Sequence, residues 1–362
     1  MRVLLANSER GMRGGELQTL ALATGLRERG CEVNVAVAKN AGLIRELEGR
    51  IDYAVFRFES PPLVTPSSLA RLIAGWHPHI LHAQTSRAHT CLWFARRLLR
   101  LAPPLVVSRR VAFRTTRGVP GYLKYRTGVA HYIPISQAAA GELAASGIPA
   151  DSMTIIPSGI DVGRFRQSRG DGGLLPHWGV DRRQFLIATV GAFEREKGYD
   201  TLVRAAGKVL GSHPSARFLW FGEGSRRSHL IRTVRSEGLE GRVLLLPIER
   251  PLEEVLPLFD LFVLPSLSEG LSTALMAALA SGLPVVASDT GGIPEVVSSG
   301  WGSLVPPGDH TALAEAIIAL IDDDVRRGEC AKAGRERAAA FDIAHTVDRT
   351  LQVYRDVLSG IE

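Results

Sequence analysis

The stretch Pro265-Ser-Leu-Ser-Glu269-Gly270-Leu-Ser272-Thr-Ala-Leu-Met-Ala277-Ala-Leu-Ala-Ser-Gly282-Leu-Pro284-Val-Val-Ala-Ser-Asp-Thr-Gly291-Gly292-Ile-Pro-Glu295 decides how this chain folds. An apolar run, Leu261 to Pro265, leads into it and another, Pro284 to Ala287, follows its small-residue helical segment. Short, wholly apolar runs separated by helical segments are the signature of parallel strands buried on both faces. Glu269 stands directly after a strand and before a glycine, a place from which a carboxylate can accept hydrogen bonds from sugar hydroxyls. A carboxylate favoured by the dipole at a helix start is the plainer alternative.

Working outward, the same alternation holds on both sides. Further strands are expected at Phe185–Val190, Ala216–Phe221, Val243–Leu246 and Ser303–Val305, with helices such as Thr201–Leu210 and Thr311–Ile321 between them. Towards the amino terminus the runs are Val3–Ala6, Val33–Ala38, Ala54–Phe58, His79–Ala83, Leu105–Ser108, Tyr132–Ser136 and Met153–Ile156. The polar, glycine-rich residues from Arg166 to Gly173 interrupt the pattern and are the expected linker. The fold class is therefore α/β, with two Rossmann-like domains over residues 1–165 and 174–342. In such sheets ligands bind outside the carboxyl ends of the strands, so the cleft between two facing domains is the expected substrate site.

Composition narrows the function. The 362 residues, 45% hydrophobic, are enough for two cores. Three well-separated cysteines, Cys31, Cys91 and Cys330, match no metal-ligand spacing and read as thiols in a reducing compartment. The apolar run at the amino terminus is too short for a signal peptide, and Ala274–Ala287 is broken by Ser281, Gly282 and Pro284. A cytoplasmic protein is expected, with peripheral contact at the inner face of an anionic membrane admitted by the net charge of +6. Nucleic acid is not expected as a partner, because the basic residues are not interleaved with aromatic ones.

Two more loops carry chemistry. Arg13-Gly14-Gly15-Glu16 follows the first strand and opens a helix, so a close backbone approach and free amides favour an anion such as diphosphate there. The ordinary alternative is a strand-to-helix turn. After Val190 come Gly191-Ala-Phe-Glu-Arg195-Glu-Lys197-Gly198-Tyr-Asp200, with Asp200 a candidate helix cap. A lysine beside that helix start would stabilise charge on a departing diphosphate without a metal, and a solvated surface lysine is the alternative.

Taken in order, these residues resemble family 4 of the retaining glycosyltransferases, which have the GT-B fold. The resemblance runs through the loop ending in Glu16, Leu81-His82-Ala83, Ile155 to Asp161, Lys197-Gly198, Gly222-Glu223-Gly224 and Ser266 to Glu295. It implies transfer of a sugar, with retention, from a nucleotide-sugar donor such as a UDP-sugar onto a glycan or lipid-linked acceptor, as in lipopolysaccharide and cell-envelope synthesis. No cofactor and no metal are implied. Lys197 and Glu269 would be catalytic. Gly14, Gly15, Arg195, Glu223, Gly270, Leu271 and Ser272 would bind the donor, and Glu16, His82, Arg109 and Arg110 the acceptor. A final helix, about 343–362, would cross back to the first domain.

Three positions depart from the family pattern. The second glutamate, eight residues after Glu269, is Ala277, which should weaken nucleotide binding by roughly 1–3 kcal/mol. The loop arginine is Ala192, leaving Arg195 as a substitute. The active-site histidine after Leu105–Ser108 gives way to Arg109-Arg110, with Arg114, Arg117, Lys124 and Arg126 beyond. Arginine forks suit phosphate or carboxylate, so an anionic acceptor is expected; a merely solubilising basic face is the alternative. His77 and His79 are read as structural. A nucleotide-sugar 2-epimerase, a non-catalytic relative and, more remotely, a nicotinamide-dependent dehydrogenase are the competing readings.

Overall fold

The computed structural model describes residues 1–58, 64–110, 119–298 and 300–360. Arg114 and Arg117 lie outside them. The chain forms two compact units, Met1–Gly159 with Ile343–Glu362, and Ile160–Asp342.

In the first unit β1 (Arg2–Asn7), β2 (Glu32–Ala38), β3 (Asp52–Phe56), β4 (Ile80–Ala83), β5 (Leu105–Arg109) and β6 (His131–Pro134) form a sheet of order β3-β2-β1-β4-β5-β6. Every neighbouring pair is parallel. Val3, Leu4, Leu5 and Ala6 are fully buried, as expected of a central strand covered on both faces. The helix Gly14–Glu28 turns Leu22, Ala23 and Leu26 inward, and Ile343–Ser359 packs against it with Val347, Leu351 and Tyr354. A Cβ on Gly25 would lie 2.6 Å from Val347 Cγ2, so glycine is what lets these two helices approach. Each buried apolar side chain of that last helix contributes about 2 kcal/mol, enough to tie it to this unit.

Met153–Ile156, expected as a seventh strand, makes only one isolated bridge, Met153 with Tyr132. It gives two amides to β6, Thr154 N–H to Tyr132 and Ile156 N–H to Pro134, before Pro157, which has no N–H to continue the ladder.

In the second unit β7 (Leu186–Val190), β8 (Arg217–Phe221), β9 (Val243–Leu246), β10 (Leu261–Leu264), β11 (Val285–Ser288) and β12 (Gly302–Val305) are arranged β12-β11-β10-β7-β8-β9, again parallel. Counted from its own first strand, this is the same 3-2-1-4-5-6 order as in the first unit. Its core is built from Ile187, Phe193, Tyr199, Phe218, Trp220 and Val263, with helices Tyr199–Ser212 and His310–Asp322 packed on it.

The first boundary lies between Gly159 and Ile160, ahead of the polar stretch Arg166–Gly173 expected as the linker. That stretch is bonded into the second unit: Asp171 N–H donates to the Glu254 carbonyl, and a Cβ on Gly170 would meet Leu258 at 2.8 Å. Polarity and glycine content describe a chain that can bend, and here it bends along a surface.

Candidate functional site

At the carboxyl end of β7 the chain runs through Gly191–Glu194 into a 3-10 turn, Arg195–Lys197, and then through Gly198 directly into helix Tyr199–Ser212. Gly198 is left-handed, with φ 68°, and a Cβ there would sit 1.9 Å from the Pro265 carbonyl oxygen. Only glycine fits, which explains why the lysine loop lies flush against the chain leaving β10. Backbone bonds complete the junction: Leu267 N–H donates to the Glu196 carbonyl at 2.7 Å. Asp200, expected to cap this helix, is instead its second residue, and its carboxylate pairs with Arg226 and His229. The left-handed Gly198 takes the cap position from it.

This junction brings together the two residues singled out as catalytic. Lys197 Nζ donates to Glu269 Oε2 at 2.5 Å, and Ser266 Oγ donates to the same oxygen at 3.2 Å. The side chains of Lys197 and Glu269 keep 23% and 12% of their surface in contact with solvent, so the pair is recessed yet reachable. On its other side the glutamate backbone is held by the double-glycine loop after β11, where a Cβ on Gly291 (φ 56°) would lie 1.8 Å from the Glu269 carbonyl oxygen. Gly270 and Leu271 then lead into helix Thr273–Ser281, capped by Ser272, whose hydroxyl accepts from Leu275 N–H. Amides not used within the helix point from this start.

The remaining donor-side expectations are placed around this core. Gly222-Glu223-Gly224 lies against the lysine loop: Gly191 N–H donates to the Phe221 carbonyl and Phe193 N–H to that of Glu223. Glu223 and Arg195 both expose their side chains, and Glu223 is 3.8 Å from Arg227 Nε. Ala277 is buried at 2% exposure and offers no polar atom.

In the first unit a second polar cluster sits at the carboxyl ends of β1, β4 and β5. Arg110 Nη2 donates to Gln84 Oε1 at 2.5 Å and Nη1 to Ser158 Oγ at 3.4 Å. Its aliphatic stem passes over the helix start, with Arg110 Cδ 3.9 Å from where a Cβ on Gly15 would be. Burial lowers the Arg110 pKa to about 10, with Glu16 acting in the opposite sense, so the guanidinium stays charged. Gln84 is buried at 2% exposure and its Nε2 has no partner among the described residues. A buried amide donor beside a half-buried guanidinium is an arrangement that an anion would complete.

The three other acceptor-side expectations are held by contacts of their own. Glu16 closes a capping box, its carboxylate accepting from Arg13 N–H at 3.0 Å and from Asn7 Nδ2 at 3.4 Å. His82 is 1% exposed, with Nδ1 2.5 Å from the Tyr354 hydroxyl and Nε2 2.8 Å from Ser108 Oγ. Burial, and secondarily Arg110, lowers its pKa to about 3; it is a neutral core histidine joining the last helix to the sheet. Arg109 alternates to the other side of β5 from Arg110, is 6% exposed and donates to the Tyr125 hydroxyl at 3.3 Å. The arginine pair is thus divided, one member toward the polar cluster and one into the packing around Tyr125. Lys124 donates to the Ser86 carbonyl and hydroxyl and to Thr90 Oγ1. His77 is left-handed, and His79 Nδ1 accepts from Arg2 N–H, both local structural roles. Sequence reasoning missed Gln84 and Ser158 as side chains of this cluster; the signal for each is its place directly after an apolar run.

Among the described residues no three His, Cys, Asp or Glu side chains are grouped to hold a metal. No helix described is long and apolar enough to cross a membrane.

Residues 12–164 match the family model Glycosyltransferase Family 4, and residues 184–323 match Glycosyl transferases group 1. The D-inositol 3-phosphate glycosyltransferase of Nocardia farcinica is 33% identical over 227 residues, 59% of this chain and 49% of that protein. The N-acetyl-alpha-D-glucosaminyl L-malate synthase of Bacillus anthracis is 25% identical over 314 residues, 84% of this chain and 82% of that protein. The chain spans about half the length of the inositol-phosphate glycosyltransferases it matches. In fold it is similar to Anabaena HepE, solved in complex with UDP, with a TM-score of 0.86 at 21% identity, covering 98% of this chain and 100% of that one. The same Anabaena protein solved with UDP-glucose gives a TM-score of 0.84 at 22% identity, covering 99% and 100%. With a family model matched in each half and a GT-B fold throughout, the chain belongs to the family 4, group 1 glycosyltransferases.

Proposed function

We propose that this chain transfers a sugar, with retention of anomeric configuration, from a nucleotide sugar onto an anionic glycan or lipid-linked acceptor, with no metal in the reaction. The observation that carries the reading is the Lys197–Glu269 pair, held at the switch between β7 and β10 beside the start of helix Thr273–Ser281. In the free protein the lysine and glutamate satisfy each other. A bound donor would separate their tasks: Lys197 and the amides about Gly270, Leu271 and Ser272 take the diphosphate, and Glu269 accepts from sugar hydroxyls. Charge builds on the diphosphate as the glycosidic bond breaks, so a fixed cation and preorganised amides stabilise the transition state more than the ground state. A same-face displacement, in which the departing phosphate takes the acceptor proton, needs this clamp more than a dedicated protein base.

UDP is the nucleotide this reading favours, supported by the UDP and UDP-glucose bound to Anabaena HepE. Arg195 and Glu223 border the same loops and are assigned to the donor; Gly14 and Gly15 are assigned to its diphosphate. Arg110, with Gln84 and Ser158, is assigned to the acceptor anion. Both family matches are to glycosyltransferases, which sets the epimerase aside. A calorimetric and thermal-shift screen of UDP, GDP, ADP and their sugars without added metal tests the reading. One nucleotide should bind and stabilise; silence across the panel would point to a non-catalytic relative in which Ala277 has cost the site its ribose contact.

A further inference from the structure

Residues 60–141 contain ten arginines and one lysine and not one aspartate or glutamate. All 37 acidic residues lie elsewhere, so a chain of net charge +6 carries one strongly basic region on an otherwise net acidic background. Part of this region is the Arg110 cluster, but part lies at the opposite end of the sheet. Helix Ser86–Arg97 ends in Arg96 and Arg97, and the chain then passes through Leu98 to Leu101 before entering β5. Leu101 is 91% exposed, Leu98 56% and Leu123 44%.

These residues are held on one face. Arg96 donates Nε to the Pro103 carbonyl at 2.8 Å and a second nitrogen to the Gly128 carbonyl. Arg97 lies 3.3 Å from the centre of the Trp93 ring and donates Nη2 to Thr127 Oγ1 at 3.3 Å. The segments 97–101 and 123–128 are thereby fastened side by side, with Arg97, Arg100 and Arg126 exposed along them. Neither Arg97 nor Arg100 pairs with a carboxylate among the described residues.

We propose that this face, Arg97, Leu98, Arg100, Leu101, Leu123 and Arg126, is a peripheral docking surface for an anionic lipid bilayer. Charge complementarity names the occupant: guanidinium groups engage lipid phosphates while the leucines enter the boundary between headgroups and acyl chains. Neither signal suffices alone, and both are present within a few residues. A single-stranded nucleic acid fits less well, because the aromatic side chains here, Trp93 and Tyr125, are 8% and 4% exposed and offer no stacking platform. Both segments lead into the amino ends of β5 and β6, so docking leaves the carboxyl-end cluster of Arg110 uncovered.

The test is co-sedimentation of the full chain with vesicles of phosphatidylcholine alone and of phosphatidylcholine with about one-third phosphatidylglycerol, at about 0.1 M and 0.5 M salt. Capture by the anionic vesicles, at least tenfold weaker on the neutral ones and weakened by salt, is expected. The double variant Leu98→Ser/Leu101→Ser and the variant Arg100→Ser/Arg126→Ser should each lower capture by roughly tenfold. Ile231→Ser/Val325→Ser in the second unit, which also removes two exposed apolar side chains, should leave it unchanged, and thermal melts check that each variant folds. Capture that ignores the two leucines, no capture by anionic vesicles, or tighter binding to single-stranded DNA than to vesicles would each overturn the proposal. The readout is vesicle binding and not turnover, so it stands or falls separately from the transfer reaction.

Discussion

The two units share one strand order yet finish their carboxyl ends differently. In the second unit the functional loops are pressed together by backbone: Gly198 against Pro265, Gly291 against Glu269, Gly191 against Phe221, with one recessed ion pair between them. In the first unit the corresponding region is made of polar side chains, buried Gln84, Glu16 and His82 with half-buried Arg110, each held by a side-chain hydrogen bond. A site set by glycine contacts has little freedom to change, which under the proposed function suits a common, unvarying group such as a diphosphate. A site made of long side chains can be rebuilt one residue at a time, which under the proposed function suits an acceptor. The difference teaches that identical topology positions the site, whereas the choice between backbone and side chain sets how specialised it becomes.

The sharpest way to break this contrast is at its ion pair. Lys197→Ala should lower kcat by about 100- to 1,000-fold, comparable to removing a preorganised charge-stabilising donor. A Glu269→Gln variant should lose both turnover and sugar affinity; steady-state kinetics with the identified donor distinguishes the two. Next, Gly198→Ala forces a Cβ into the Pro265 carbonyl and should cost about 2–4 kcal/mol of stability, read from denaturant unfolding. A melt unchanged from the parent would show that the loops are not fixed by backbone.

Acid separates the units by a different route. His82 and His89 are buried, with burial lowering each pKa to about 3. Below about pH 6.5 the unfolded chain takes up protons at these positions and the folded chain does not, so stability falls as pH drops. By pH 5 each contributes a loss of about 2 kcal/mol, and the trend continues to about pH 3. His89 packs edge-on against Tyr125, so His89→Phe should flatten the acid limb of the melting curve. The smallest effect expected is from Arg110→Ala, which should raise acceptor KM about tenfold while leaving donor affinity unchanged; an equal change in both would contradict its assignment to the acceptor.

Much of the architecture is legible in the residue pattern because the strands are buried on both faces and read as uninterrupted apolar runs. All six strands of the second unit and six of seven expected in the first are present, with ends displaced by one or two residues. Met153–Ile156 fails as a strand because apolarity does not count hydrogen bonds, and Pro157 ends the ladder. The Lys197–Glu269 pairing was legible as two residues after strands, but their contact depends on Gly198 and Gly291, whose roles appear only when backbones are placed. Arg109 and Arg110 read as one fork in sequence, and strand alternation divides them. The contacts of His82 with Tyr354 and of Glu16 with Asn7 were not legible, since they depend on how the helices and strands are placed.

The most direct test of the central claim is titration calorimetry of UDP into the parent chain and into Lys197→Ala, at equal salt and without added metal. The account predicts measurable binding by the parent and a loss of at least tenfold in the variant, about 1.4 kcal/mol. Equal affinity in both would remove the lysine from the diphosphate and, with it, the assignment of the second unit's carboxyl end as the donor site.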